Sequence, residues 1–121
     1  MSGDAGMIEE RWSELHSRSE QLAAAAHEAA RAGDSRRSEE LFADAARLEE
    51  DALHRVGAGN PRTYGVTAVS AVALWAKSGN VEQAERLAAF AITKKLPPFA
   101  VDQLCALLHE LKRRRDLPTT Q

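Results

Sequence analysis

Four histidines and one cysteine are the side chains of this 121-residue chain best suited to acid–base, nucleophilic or metal chemistry: His16, His27, His54, His109 and Cys105. A zinc-protease helix needs two histidines four residues apart with a glutamate between, so that the ligands share a face. His27-Glu28 begins that pattern, but Arg31 stands where the second histidine would be. His16 and Glu20 lie one turn apart and could hold a metal ion weakly; they read better as a surface pair. Cys105 and His109 are also one turn apart, which suits a thiol–imidazole pair only beside an acid and an oxyanion-binding loop. The surrounding helix is apolar and no such loop is visible, so Cys105 reads as a buried structural cysteine. Gly57-Ala58-Gly59-Asn60 is too short for a phosphate loop, and no Lys-Ser/Thr follows it. Glu39-Glu40 and Glu49-Glu50-Asp51 read as the solvated face of a helix. Catalytic residues, metal ligands and cofactors are therefore not expected, and the chain does not read as an enzyme.

Lys112-Arg113-Arg114-Arg115 is the densest run of charge. It could contact phosphates of a nucleic acid or a membrane surface. It also suits a helix C-terminus, where cations complement the dipole. Aromatic neighbours for base stacking are lacking, so nucleic acid is a secondary expectation. Lys94 and Lys95 would enlarge the patch if the fourth and fifth helices packed side by side.

These groups need elements to position them, and five helices are legible. The first spans about 7–32, with Ile8, Trp12, Leu15, Leu22, Ala26 and Ala29 at three- and four-residue steps. The second, about 35–56, carries Leu41, Ala45, Leu48 and Ala52, flanked by Phe42, Leu53 and Val56. Asn60-Pro61 is a start signal for the third, about 61–78, which is apolar or small nearly all round from 66 to 76. Asn80 can cap the fourth, with Gln83 where a capping box wants it. That helix runs to about Lys95, with Val81, Ala84, Leu87, Ala88 and Ala91 inward. After Leu96-Pro97-Pro98, the fifth spans about 98–115 on Val101, Leu104, Leu108 and Leu111. Residues 1–6 read as a flexible N-terminus, 7–116 as one all-helical domain and 117–121 as a flexible tail.

Gly33-Asp34 and Gly79-Asn80 punctuate two helix pairs in the same way. Ala29, Phe42 and Ala45 surround the first turn; Trp75, Ala84, Ala88 and Ala91 surround the second. A lone hairpin cannot bury its apolar face, so such units stack. On these residues the chain resembles the tetratricopeptide repeat family. The 68–96 unit matches better, with Trp75 at a large-aromatic position and Ala84 and Ala91 at small packing positions. The 22–50 unit has Ser38 where alanine is expected. The two turns are 46 residues apart, against about 34 in the family. The resemblance implies an all-α, five-helix, tetratricopeptide-like stack of antiparallel helical hairpins, with the fifth helix as a C-terminal cap. An ordinary up-down bundle is the rival architecture.

The same resemblance implies a groove lined by the first helix of each pair, holding a protein or peptide partner. Its positions would be Glu20, Ala23, His27 and Arg31, then Val66, Val69, Ala73 and Lys77. Arg31 and Lys77 are equivalent, two residues before each turn glycine, and could meet a carboxylate on an extended peptide. The family's carboxylate clamp is incomplete, because 27 is His and 73 is Ala where asparagine would stand. Trp12, near the outer end of the first helix, forms an interface patch with Met7, Ile8 and Leu15 if exposed, or core if it folds onto the second helix.

Composition agrees with a binding module. Hydrophobic residues make up 44% and charged residues 28%, a globular balance able to bury one core. Net charge is −2, which gives no global field for nucleic acid. Residues 1–60 hold 13 acidic and 7 basic side chains, and 61–121 hold 5 and 9. That asymmetry leaves self-association into a homodimer as an alternative. The single cysteine allows no internal disulfide. No stretch is long and apolar enough for a leader or a membrane span, so a cytoplasmic location is expected. Arginine outnumbers lysine 12 to 4, a hint of a bacterial, GC-rich genome.

Overall fold

The computed structural model describes residues 2–56 and 59–117, with side chains described from Arg11 onward. The fold among them is all-helical: α1 (Ser2–Arg31), α2 (Ser35–Val56), α3 (Pro61–Lys77), α4 (Val81–Ile92) and α5 (Pro98–Asp116). α1 begins at Ser2, ahead of the start expected near Met7, and residues 118–121 of the expected tail lie outside the described part. α4 stops at Ile92 rather than near Lys95; the Thr93 amide bonds back to Phe90, and Thr93 Oγ1 donates to the same carbonyl.

The two glycine turns are built alike. Gly33 and Gly79 adopt φ of 83° and 84°, the left-handed region that glycine enters without Cβ strain. Asp34 N–H bonds Ala29 O and Gly33 N–H bonds Ala30 O. Asn80 N–H and Gly79 N–H do the same to Trp75 O and Ala76 O. These are paired Schellman closures, each satisfying carbonyls that a helix end would otherwise leave bare. Asn60 caps α3 as expected, accepting from Thr63 N–H, with Pro61 following it. The capping box expected at α4 does not form. Asn80 donates instead to Ser78 Oγ, and Gln83 accepts from Arg86.

α1 packs on α2, α2 on α3 and α3 on α4, while α5 lies against both α3 and α4. Paired contacts give the directions. Ser19 meets Ala45 as His16 meets Glu49, so α1 and α2 are antiparallel. Gly65 faces Ala100 and Arg114 reaches Ala76 O, so α3 and α5 are parallel. A Cβ on Gly65 would stand 2.8 Å from that of Ala100, so glycine permits this close approach of α5. The core is rich in alanine: Ala26, Ala45, Ala46, Ala68, Ala71, Ala84, Ala88 and Ala91 are fully buried, filled in by Leu53, Val72, Leu87, Leu104 and Leu111. Small side chains let helix axes approach and pack densely. No helix among the described residues is long and apolar enough to cross a membrane.

Candidate partner-binding surface

None of the eight positions implied by the resemblance enters the core. On α1, Glu20, His27 and Arg31 are exposed and Ala23 is half-buried. On α3, Val66 and Lys77 are exposed, while Val69 and Ala73 are half-buried beside the fully buried Ala68, Ala71 and Val72. Val66 keeps 46% of its surface in solvent, an uncovered apolar side chain at the head of the row Val66, Val69, Ala73. Phe42 of α2 brings the two rows together. The His27 ring packs edge-on against it at 5.0 Å, and Lys77 Nζ lies 5.8 Å from its centre. Arg31 pairs with Glu28, one turn back on α1, whereas Lys77 lies over Phe42.

Two carboxylates on successive positions of α2 organise its flanks. Sequence placed both on a solvated face, together with Asp51. Only Asp51 is exposed; Glu49 keeps 1% of its surface and the Glu50 side chain 16%. The reason is the helical step: Glu49 follows Ala45 by four residues and precedes Ala52 by three, so it falls on the buried stripe. Its carboxylate lies 2.9 Å from His16 Nδ1. Burial pushes the Glu49 carboxyl above the usual carboxylate range, only partly offset by His16 and Ser70. His16 Nε2 lies 2.8 Å from Glu20, so the expected His16–Glu20 pair is one end of a three-group chain. Trp12 stacks on the imidazole at 5.0 Å and donates Nε1–H to Thr67 of α3. Trp12 is thus half-buried, tied to α3 through Thr67; the side chains of Met7 and Ile8 lie outside the described part.

The other side of α2 repeats the theme. Trp75, nearly buried, donates Nε1–H to Glu50 at 2.9 Å, and Arg86 of α4 grips the same carboxylate at 3.0 Å. Burial alone would raise Glu50, but the hydrogen bonds from Trp75 and Arg86 and the charge of Arg86 outweigh it and hold Glu50 low. Arg47 lies over the indole, and an open cleft of about 360 Å³ is lined by Arg47, Glu50, His54, Trp75 and Arg86. Sequence gave no sign of this cluster beyond the aromatic at 75.

The basic run of α5 is largely engaged within the molecule. Arg113 chelates Glu110, Arg114 donates to Ala76 O, and Arg115 chelates Glu85 of α4. The hydrogen bond from Arg113 pulls Glu110 below the usual carboxylate range. Of the four, Lys112 alone has no carboxylate partner among the described residues. Lys94 and Lys95 do not join this run. α4 and α5 are antiparallel, so the lysines sit near Pro98, about 20 Å along the axis from Lys112 at 1.5 Å per residue. Cys105 is exposed rather than buried, and His109 beside it is exposed too, because both turn away from the Leu104 and Leu111 stripe. Among the described residues no three His, Cys, Asp or Glu side chains converge as metal ligands.

No protein-family model, no curated protein and no solved structure matches the chain.

Proposed function

We propose that the chain is a non-enzymatic protein-interaction module, an adaptor or accessory subunit built as a tetratricopeptide-like stack with α5 as its cap. The single observation that carries this is the α3 row: Val66, Val69 and Ala73 step along one helix face, end at Lys77 and keep an apolar side chain in solvent. The equivalence of the Gly33 and Gly79 turns supports the stack, since identical closures set two hairpins in like geometry. The partner is a protein or peptide segment whose apolar side chains cover Val66 and Val69, oriented by the rim charges Glu20, His27, Arg31 and Lys77.

The test is affinity capture from the native cell extract with wild type, V66D, the double variant R31E/K77E and a K112E control, each checked for helical content. Wild type and K112E should retain a partner that V66D loses and R31E/K77E weakens. Equal retention by V66D contradicts the groove. Capture of its own chain alone, with doubled molar mass in solution, replaces this reading with self-association. Retention of nucleic acid lost in K112E replaces it with the phosphate reading of 112–115.

A further inference from the structure

α3 carries only two charged side chains, Arg62 and Lys77, and both are cations. They stand at its two ends and share a face with the apolar row, because 62, 66, 69, 73 and 77 follow at three- and four-residue steps. Both are exposed, and each lies over an aromatic ring. The Arg62 guanidinium is 5.4 Å from the centre of Phe99 on α5, and Lys77 Nζ is 5.8 Å from that of Phe42 on α2. Neither meets a carboxylate among the described residues, whereas Glu20 of α1 and Glu110 of α5 are already paired, with His16 and Arg113. The helix dipole accounts for Lys77 but not for Arg62, which sits in the first turn, where a cation is disfavoured. Stacking on a ring holds each cation in place, so a carboxylate arriving from solvent meets donors already set.

The neighbours of Val66 give the shape of the space above it. Gly65, Val66 and Thr67 project at steps of about 100° around the helix. Gly65 turns to α5, where Ala100 comes close, and Thr67 turns to α1, where it accepts from Trp12 Nε1. Val66 points between them into solvent. α5 stays alongside to the other end of α3, where Arg114 reaches Ala76 O. The row is thus the floor of a trough one helix wide, which suits an extended chain rather than another helix about 10 Å across.

We propose that this trough binds an extended peptide segment with an apolar middle and an acidic side chain at each end, one carboxylate meeting Arg62 and the other Lys77. The inference rests on the partner-binding reading and adds the partner's chemistry and length to it. From 62 to 77 the α3 axis rises about 22 Å at 1.5 Å per residue. An extended chain covers that distance in about seven residues at 3.3 Å each, with every second side chain facing Val66 and Val69.

The experiment pans random peptides of about twelve residues, displayed on phage, against the full chain. Enriched peptides are then synthesised, and their affinities are measured by fluorescence anisotropy for wild type and variants whose helical content is unchanged. They should carry Asp or Glu on both sides of an apolar stretch, about six to eight residues apart. R62E and K77E should each weaken binding on the order of tenfold, the worth of one hydrogen bond to a charged group. Neutralising one peptide acid should abolish the effect of one of these variants and leave that of the other. V66D should not bind, and K112E should bind as wild type does. Peptides lost in V66D but indifferent to R62E and K77E, or enriched peptides without flanking acids, overturn this inference and leave the row as a partner surface. Peptides that V66D binds as well as wild type overturn both readings. A selection without enrichment overturns the peptide occupant.

Discussion

The two flanks of α2 solve one problem in opposite ways. On each, a tryptophan, a carboxylate and a basic side chain meet at a helix contact, yet Glu49 is pushed up and Glu50 is held down. Glu49 faces α1 and receives help from one half-buried imidazole and Ser70, too little to offset its desolvation. Glu50 is less buried and receives an indole N–H and an arginine fork. What differs is the number and charge of the donors against the depth of burial, which decides the sign of the shift. The flank toward α4 favours the charged carboxylate, and the flank toward α1 disfavours it.

The largest expected effect breaks the flank toward α1. H16A strips the buried Glu49 carboxyl of its His16 partner, and thermal or urea unfolding should show a loss of about 2 kcal/mol. R86A, on the other flank, should cost about 1 kcal/mol, because Arg86 is half in solvent and Glu50 keeps the Trp75 bond. Equal losses would erase the distinction. Next, G79A should cost about 1 kcal/mol, and G33A the same, because each forces a Cβ into the left-handed region at an identical turn.

The pH dependence sharpens the comparison through its sign. The folded-state pKa of Glu49 lies above its unfolded value of 4.5, so the native state binds that proton more tightly. Its contribution is full below that value and lost as pH rises through the raised one. Glu50 lies below 4.5, so its contribution is present above that value and lost as pH falls through the lowered one. Subtracting the stability of E49Q from wild type across pH should give a difference that declines toward neutrality. The same subtraction for E50Q should decline toward acid. The smallest effect is that of R113A. Its pair with Glu110 is exposed, and its removal should leave the unfolding midpoint nearly unchanged.

Much of this fold was legible in the sequence, because alanine and leucine at helical spacing leave few alternatives. The turns at Gly33 and Gly79 and the Asn60-Pro61 start were readable for the same local reason. The α4 end was not: Thr93 closes it through its own backbone and hydroxyl bonds, which no composition signal marks. Of the site, the α3 row came only from the resemblance, carried over through the equivalent turns; the residues themselves marked 66–76 no further than apolar or small nearly all round. Glu49 was hidden by its acidic neighbours, although its spacing between Ala45 and Ala52 was the available signal. Its meeting with His16, 33 residues away, depends on the α1–α2 register, which a single chain does not display. Cys105 was misplaced because α5 buries only one narrow stripe, at Ala100, Leu104 and Leu111.

The central claim is that the α3 row is where a partner sits. A photo-reactive amino acid placed at position 66 tests it directly, with position 106 on the exposed side of α5 as the comparison. After illumination in native extract, position 66 should yield a heavier adduct containing a second, different polypeptide, and position 106 should not. Adducts confined to position 106, or adducts at 66 made only of this chain, would contradict the account.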